Sequence, residues 1–173
     1  MNRRSFVVAS LFGTAAIGII SFPAYRGHLS SSSSHTNPAD GNFEVVFSEA
    51  EWRERLSPTQ FEVLRKEATE QPFSSPLLQE SRAGKYHCGG CDLASYSSDK
   101  KFDSKTGWPS FYDALPNSVR TKEDNSLFAT RTEVHCRRCG GHFGHIFDDG
   151  PAPTGLRHCL NGSAFTFRPS NQT

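Results

Sequence analysis

The sequence almost entirely lacks methionine, because Met1 is the only one among 173 residues. Oxidants convert methionine to its sulfoxide, so a chain that works among oxidants gains by lacking it, but chance or compositional drift is the simpler explanation of the scarcity. Cysteine is also scarce, and five cysteines are too few for a disulfide-rich scaffold. A chain of this length has room for one domain with its own hydrophobic core, so it needs no such scaffold.

The sequence also lacks a large net charge, since its formal charge is +1. The charges are nevertheless unevenly distributed. Residues 1–37 contain three arginines and no acidic residue, whereas residues 38–173 contain 16 basic and 18 acidic residues. A slightly acidic body has no general electrostatic attraction to nucleic acid, so we expect no nucleic-acid partner.

The first 29 residues have the composition of an export signal or a membrane anchor. Arg3 and Arg4 precede an apolar run over residues 6–22 that only Gly, Ser and Thr interrupt. The order NRRSFVV resembles the bacterial twin-arginine signal, which a receptor reads as an address. We predict export to the bacterial periplasm, with membrane contact only through this N-terminal segment. A Sec signal or an uncleaved inner-membrane anchor is the alternative, because a large residue, Phe22, stands where a cleavage site needs a small one.

The rest of the chain divides into a linker, one domain and a short tail. Residues 30–42 are rich in serine and contain too little apolar material to fold, which is typical of a linker. We predict the domain over residues 43–169 and a tail over residues 170–173.

The domain is predicted to be mainly β, with two short helices at its N-terminus. Capping boxes that begin at Ser48 and Ser57 predict the helices, and the second helix would place Phe61, Leu64 and Ala68 on one face. The later segments KYHC, SLFATRTEVHC, HFGHIF and SAFTFRP are short, apolar or alternating, and bounded by turn residues, so they are predicted to be strands.

Four of the five cysteines form two C-x2-C pairs, Cys88 with Cys91 and Cys136 with Cys139, separated by 44 residues. Two such pairs are typical of a closed, tetrahedral four-thiolate site, so we predict one structural Zn²⁺ per chain, a geometry that iron also fits. Redox dithiols or disulfides are the alternatives, and an exported protein would favour them. The βαβ setting of a thioredoxin-like C-x2-C pair is missing here.

Cys159 remains without a cysteine partner, and it is either an inert packed thiol or a nucleophile. In a strand, Arg157, Cys159 and Asn161 would share one face, whereas His158 and Leu160 would point away. A guanidinium beside a thiol favours the reactive thiolate. This pattern indicates a nucleophile.

The segment GGHFGHIFDDGP contains His142 and His145, three residues apart and followed by Asp148 and Asp149. Histidines near a reactive thiol are candidate proton donors, and the alternative is two structural residues with satisfied hydrogen bonds. Trp108 stands in a Gly–Pro turn, which indicates either a rigid, partly exposed aromatic or a core residue.

The motifs FDSKTGWPSF, RTEVHCRRCGGHFGHIFDDGP and LRHCLNGSAFTF occur in this order, with the C-x2-C pairs upstream and between. Together they resemble the B-type methionine sulfoxide reductases over about residues 43–169. The resemblance implies two antiparallel sheets in a barrel- or tent-like arrangement behind N-terminal helices, with a structural zinc site. It also implies a peptide-methionine (R)-S-oxide reductase that uses a thiol to repair oxidised methionine, mainly in proteins.

The resemblance implies four catalytic residues. Cys159 would be the nucleophile that becomes a sulfenic acid. His145 and His142 would hydrogen-bond and protonate the sulfoxide oxygen, and Asn161 would orient the substrate.

The resemblance also implies three substrate-binding residues and includes two departures from the family pattern. Trp108 would pack on the sulfoxide methyl, Arg157 would orient the substrate, and Asp149 would support the arginine. His158 stands where the family usually has an aromatic residue. Thr106 stands where many members have a resolving cysteine, so we expect an external thiol, thioredoxin-like or another, to reduce Cys159.

Two other classes of protein compete with this interpretation. A non-catalytic zinc-ribbon binding module would explain the C-x2-C pairs but would leave Cys159, Trp108 and the histidine pair unexplained. A cysteine hydrolase would need an oxyanion hole, which no motif here indicates.

Overall fold

The computed structural model describes residues 43–126 and 129–170. The predicted export segment and linker lie outside the described residues, as do the last three residues of the predicted tail. Within the described residues, no helix combines the length and the apolar character that crossing a membrane requires. The predicted segment boundaries, the export route and the periplasmic location therefore stay predictions.

Two α-helices begin where the capping boxes predict: α1, Glu49–Arg55, and α2, Pro58–Lys66. The side chains of Ser48 and Ser57 each accept a hydrogen bond from the backbone N–H three residues later, and both boxes are complete.

Helix α2 ends before Ala68, the last residue of the apolar face that the sequence predicts. Glu67 takes the left-handed conformation, with a φ of 57°, and ends the helix. Ala68 therefore lies beyond it, and the helix buries Phe61, Val63 and Leu64 instead. The prediction was wrong about Ala68 because nothing in the apolar spacing reveals a non-glycine residue in this conformation.

The described residues form nine strands and three short 3-10 helices. The strands are β1 Gly84–Cys88, β2 Ala94–Ser97, β3 Lys101–Phe102, β4 Ser110–Phe111, β5 Val119–Asp124, β6 Arg131–Cys136, β7 His142–Phe147, β8 Arg157–Leu160 and β9 Phe165–Pro169. The 3-10 helices are Pro76–Leu78, Ser98–Lys100 and Gly162–Ala164.

The strands form two antiparallel sheets, which confirms the predicted mainly β fold. The smaller sheet has the order β2-β1-β9 and the larger has the order β3-β4-β8-β7-β6-β5. Among the described residues the two sheets remain separate, so they form no closed barrel.

Only some of the strands follow the predicted segments. KYHC and HFGHIF lie in β1 and β7, and within the segment SLFATRTEVHC strand β6 begins at Arg131. In SAFTFRP, the first two residues belong to the 3-10 helix Gly162–Ala164. Strand β5 was missed because its sequence, VRTKED, is charged and mostly exposed at the edge of the large sheet, and such an edge strand has no apolar alternation.

Aromatic side chains from both sheets form the core. Tyr96 of β2 packs on Phe111 of β4 with ring centroids 4.8 Å apart, and Phe165 of β9 packs on Phe143 of β7 at 4.5 Å. All four side chains are buried. One face of the large sheet is therefore occupied by the core, and its opposite face is available for a site.

Candidate active site and metal centre

The four paired cysteines meet at one point, as the sequence predicts. Their sulfur atoms all lie within 4.8 Å of one another. Cys88 Sγ is 3.6 Å from Cys139 Sγ, and Cys91 Sγ is 3.5 Å from Cys136 Sγ. Tetrahedral zinc with Zn–S bonds of about 2.3 Å would separate its sulfurs by about 3.8 Å, so the donor set fits a closed four-thiolate site.

The cluster joins the two sheets. Cys88 ends β1 of the small sheet, and Cys136 ends β6 of the large sheet. Cys91 and Cys139 follow in the adjoining turns, and all four are free thiols. A bound ion would therefore link the two sheets.

The fifth cysteine, Cys159, lies on the face of the large sheet opposite the aromatic core, in a cavity of about 160 Å³. Cys159 is half-buried on β8, between its two register partners, Ser110 of β4 and His145 of β7. Four of the predicted site residues line this cavity: Trp108, His145, Cys159 and Asn161. The tertiary structure thus brings residues from three distant motifs to one thiol.

His145 stands directly opposite Cys159 in the strand register, so the two side chains share a face of the sheet. Its Nε2 lies 2.7 Å from Asp124 Oδ2 at the end of β5. Burial lowers the pKa of His145, and the hydrogen bond to Asp124 opposes that shift. With Nε2 bonded to the carboxylate, Nδ1 is the nitrogen that remains for a substrate.

His142 lies next to His145, but it does not line the cavity. Two strand residues three positions apart normally face opposite ways. Here the register between β6 and β7 shifts by one residue next to His135, and the rings of His142 and His145 lie 5.4 Å apart. A β-bulge re-aims a side chain in this way.

His142 donates from Nδ1 to Glu133 Oε1 at 2.9 Å, and both side chains are only 2% exposed. Lys122 Nζ lies 2.8 Å from Glu133 Oε2, an ion pair without the angles of a hydrogen bond. Burial lowers the pKa of His142 to about 4. The ring is therefore neutral at pH 7, and its buried Nε2 has no partner among the described residues.

The glycine between the two histidines is required by close packing. A Cβ at Gly144 would lie 2.1 Å from the carbonyl oxygen of Cys159. Only glycine lets β7 approach β8 this closely, and the approach brings His145 to the thiol.

Arg157 and Asp149 form the predicted pair. Arg157 Nε and Nη2 donate to the two oxygens of Asp149, each at 2.8 Å. The guanidinium stacks 4.4 Å above the ring of Phe147, which lines the cavity. Asp149 and Cys159 both raise the pKa of Arg157, so its charge lies near the thiol.

Asn161 continues the extended backbone one residue beyond β8, with φ −71° and ψ 118°. Its Nδ2 donates to the carbonyl of Phe143 at 3.0 Å, and its Oδ1 accepts from the backbone N–H of Glu70 at 2.9 Å. The amide thus fixes the loop after α2 against the large sheet.

Trp108 is half-buried, so the structure favours the partly exposed aromatic over a core residue. Its indole Nε1 donates to the backbone carbonyl of Glu70 at 3.0 Å. The ring, which lines the cavity, therefore has a defined orientation.

Thr106 stands at the position where the family resemblance implies a resolving cysteine in many members. Its Oγ1 lies 3.8 Å from Cys159 Sγ and 2.8 Å from Ser104 Oγ. A hydroxyl here can donate a hydrogen bond to the sulfur but cannot form a disulfide.

His158 faces away from the cavity, as strand alternation predicts. Its Nδ1 lies 3.0 Å from Tyr96 OH in the core, and burial lowers its pKa to about 4. Leu160 is also fully buried, but it is one of the residues that line the cavity, so alternation does not exclude it from the site.

Sequence reasoning missed several polar residues of the site. Arg131 lines the cavity and pairs with Asp124, which also holds His145. Glu133 holds His142. Of these, Arg131 and Glu133 stand in the same long motif as the two histidines, RTEVHCRRCGGHFGHIFDDGP. Their place in that motif was the available signal. Asp124 had no signal, because it lies in an exposed strand.

A larger groove of about 810 Å³ adjoins the cavity and shares Thr69 with it. Serine, threonine and glutamine dominate its lining. Among the described residues, Glu70 is the only charged residue that lines the groove, and its carboxylate accepts hydrogen bonds from backbone N–H groups.

Comparison with known proteins yields one family and many close relatives. The SelR domain model matches residues 56–169. The chain is 50% identical over 129 residues to peptide methionine sulfoxide reductase MsrB of Methanosarcina barkeri, which covers 74% of this chain and 91% of that protein. It is 50% identical over 127 residues to the MsrB of Bradyrhizobium diazoefficiens, covering 73% and 91% of the two chains. The MsrB of Agrobacterium fabrum is 46% identical over 127 residues, covering 73% and 94%.

Among solved structures, the Mis18 'Yippee-like' domain aligns with a TM-score of 0.41 at 17% identity, over 53% of this chain and 100% of that domain. This similarity is too low to define a shared fold.

Proposed function

The chain belongs to the SelR family and is a methionine sulfoxide reductase, and we propose that it reduces the R epimer through a sulfenic acid on Cys159. One observation carries the proposal: Cys159, His145, Trp108 and Asn161 line a single cavity. That cavity is large enough for one side chain and little more.

The reaction begins with a proton on the sulfoxide oxygen, because a neutral sulfoxide is a poor electrophile. His145 lies opposite Cys159 in the strand register. In its imidazolium form the ring donates from Nε2–H to Asp124 and carries a second proton on Nδ1, which it gives to the sulfoxide oxygen. The Cys159 thiolate then attacks the sulfoxide sulfur. Oxygen passes from the substrate to the cysteine, so methionine leaves reduced and Cys159 becomes a sulfenic acid.

Selection of one epimer follows from three contacts. The sulfoxide sulfur is pyramidal and carries an oxygen, a methyl group and the side-chain carbon. If the oxygen faces His145, the methyl packs on Trp108 and the sulfur faces Cys159, then the direction in which the side chain leaves is determined. Only one hand of the sulfoxide satisfies all three contacts, and the family resemblance indicates the R epimer.

Regeneration depends on an external thiol. Thr106 has no thiol to offer, and the other four cysteines lie together in the metal cluster. Two equivalents of thiol reduce the sulfenic acid, releasing water and one disulfide. A thioredoxin-like protein or a small thiol would supply them.

The ion in the cysteine cluster is proposed to be zinc, one per chain. Cys88, Cys91, Cys136 and Cys139 would hold it, and the closed four-thiolate shell leaves no position for substrate. When bound, zinc supplies folding free energy rather than chemistry at the substrate.

The substrate is proposed to be mainly protein-bound methionine sulfoxide. A cavity of about 160 Å³ accepts little more than the reacting side chain, whereas the adjoining groove has a volume of about 810 Å³ and is lined mainly by serine, threonine and glutamine. Hydroxyls and amides there can hydrogen-bond a flanking peptide backbone whatever its side chains are.

The biological role is proposed to be repair of oxidised proteins outside the cytoplasm. The basis is the N-terminal pattern of paired arginines and an apolar run in residues 1–29. Periplasmic location, by the twin-arginine or the Sec route, is part of this proposal.

A single-turnover assay tests the chemistry. The enzyme, without reductant, is mixed with peptides containing pure R or S methionine sulfoxide, and Cys159 is trapped with dimedone. We expect one methionine and one trapped sulfenic acid per enzyme from the R peptide alone. Equal turnover of both epimers would refute the epimer assignment, and no turnover would favour a non-catalytic zinc-ribbon module.

A further inference from the structure

Glu70, in the loop after α2, uses all of its polar groups to hold Trp108, Asn161 and the turn after β8. Its backbone N–H donates to Asn161 Oδ1 at 2.9 Å, and its carbonyl accepts from Trp108 Nε1 at 3.0 Å. Its carboxylate oxygens accept from the backbone N–H groups of Gly162 and Ser163, at 2.5 and 2.8 Å. One residue thus connects the Trp108 wall of the cavity to the Asn161 wall.

The carboxylate holds the turn that follows the proposed nucleophile. Gly162–Ala164 is a 3-10 helix that begins two residues after β8 ends. The first N–H groups of such a turn have no partner within it. Glu70 accepts from two of them, and hydrogen bonds to an ionised acceptor are the strong ones. The carboxylate therefore ties the loop after α2 to the segment next to Cys159.

The main chain of Glu70 determines the orientation of Trp108. The indole N–H is the only hydrogen-bonding group of that side chain, and it donates to Glu70. The neighbouring segments also pack closely, because Gly107 has a φ of 93° and a Cβ there would lie 2.8 Å from Pro72 Cβ. Displacement of the Glu70 loop would therefore rotate or release the indole.

We propose that Glu70 is a positioning residue that sets the separation between Trp108 and the Cys159–Asn161 segment. The inference rests on the proposed function for its kinetic consequence, since Trp108 is the proposed contact of the sulfoxide methyl. Glu70 itself does not touch the reacting atoms. Its carboxylate acts through the turn and through its own main chain.

Two variants of different severity test this role. Glu70→Ala removes both carboxylate hydrogen bonds, whereas Glu70→Gln keeps one acceptor and turns an NH₂ group toward the other N–H donor. We expect KM for an R-sulfoxide peptide to rise at least about tenfold in Glu70→Ala and less in Glu70→Gln, with a smaller fall in kcat, because substrate positioning is lost rather than chemistry. Glu62→Ala, an exposed glutamate on α2, is the matched control and should have the KM of the wild-type enzyme.

A second measurement separates positioning from general destabilisation. Trp108 and Trp52 are the only two tryptophans, and Trp52 is buried. We expect the Glu70 variants to shift the indole emission to longer wavelength and to increase its quenching by iodide, while zinc content stays at one ion per chain. In a Trp108→Phe background, Glu70→Gln should change KM much less than in the wild-type background, because coupled residues are not additive.

The outcomes distinguish the two proposals. Unchanged KM and emission in both Glu70 variants would overturn the positioning role, as would full additivity with Trp108→Phe. A lower melting temperature without any change in KM would also overturn it. If the wild-type enzyme reduces no sulfoxide, the proposed function fails, and the emission and quenching still decide whether Glu70 orients Trp108.

Discussion

Thr106 Oγ1 lies 3.8 Å from Cys159 Sγ. A hydroxyl thus stands beside the proposed nucleophile where many family members have a resolving thiol. The atoms are close enough for a hydrogen bond involving sulfur, and the proposed regeneration by an external thiol depends on this one difference.

The first prediction concerns the product of one turnover without reductant. We expect mass spectrometry to find one oxygen added at Cys159, because no resolving thiol is near. Thr106→Cys should convert that product to an internal disulfide, provided that the two Cα atoms come within about 7 Å. Thr106→Ser is the matched control and should leave the sulfenic acid intact. A stoichiometric disulfide in the unmodified protein, with loss of metal, would contradict the scheme and make the cluster a redox element.

The second prediction concerns the nucleophile. Cys159→Ser should abolish turnover, since a hydroxyl lacks the nucleophilicity of a thiolate. Metal content and melting temperature should not change, because Cys159 lies outside the metal cluster. Activity close to that of the wild-type enzyme would assign catalysis to one of the C-x2-C pairs.

The third prediction concerns the metal. Cys88→Ser or Cys136→Ser should lose the ion and lower the melting temperature, because the metal-binding free energy of a structural site is folding free energy. Elemental analysis and thermal unfolding measure the two effects. Full stability after chelation would contradict the structural role.

The fourth prediction concerns the proton donor. His145→Ala should reduce kcat about 10²–10⁴-fold if His145 is the general acid. Asp124→Asn replaces the carboxylate that raises the pKa of His145 with a neutral amide, so the pH–rate profile should move to lower pH and the rate at pH 7 should fall about tenfold. Asp113→Asn breaks a comparable pair with Lys100 outside the cavity lining and is the control. A profile that does not move in Asp124→Asn would contradict the assignment.

The fifth prediction concerns stability against pH. Burial lowers the pKa of His158 from 6.5 to about 4, so between these values the unfolded chain binds a proton that the folded chain does not. Stability is therefore lost as pH falls through this window, by about 2 kcal/mol for His158 between pH 7 and pH 5. His158→Phe should show a smaller loss of unfolding free energy over that range in urea titrations. An identical pH dependence in the variant would show that His158 is not buried neutral.

Several features of this protein were predictable from short stretches of sequence. The capping boxes at Ser48 and Ser57 act through residues three positions away, so a local pattern predicts where α1 and α2 begin. The C-x2-C pairs predicted the cysteine cluster because ligand spacing is a property of one tight turn. Strand alternation predicted that His158 faces away from the Cys159 cavity.

The long motifs also predicted the family, and the relatives confirm it. The roles of the individual site residues stay predictions, as does the identity of the metal.

Other features depend on contacts between distant segments. The bulge beside His135 brings two histidines three residues apart to one face of the large sheet, which strand periodicity alone forbids. The carboxylates of Asp124 and Glu133 reach those histidines through strand pairing, and the sequence separation of 21 and 9 residues gives no sign of it.

The sequence by itself determined the family, the helix starts and the cysteine pairs, because each is encoded by residues within one turn or one motif. Only the tertiary structure decided which side chains surround Cys159. Glu70 and Asn161 are 91 positions apart in sequence, and they meet because sheet packing brings the loop after α2 against the end of β8. Register, bulges and loop contacts arise from the packing of the whole domain, so no local pattern specifies them.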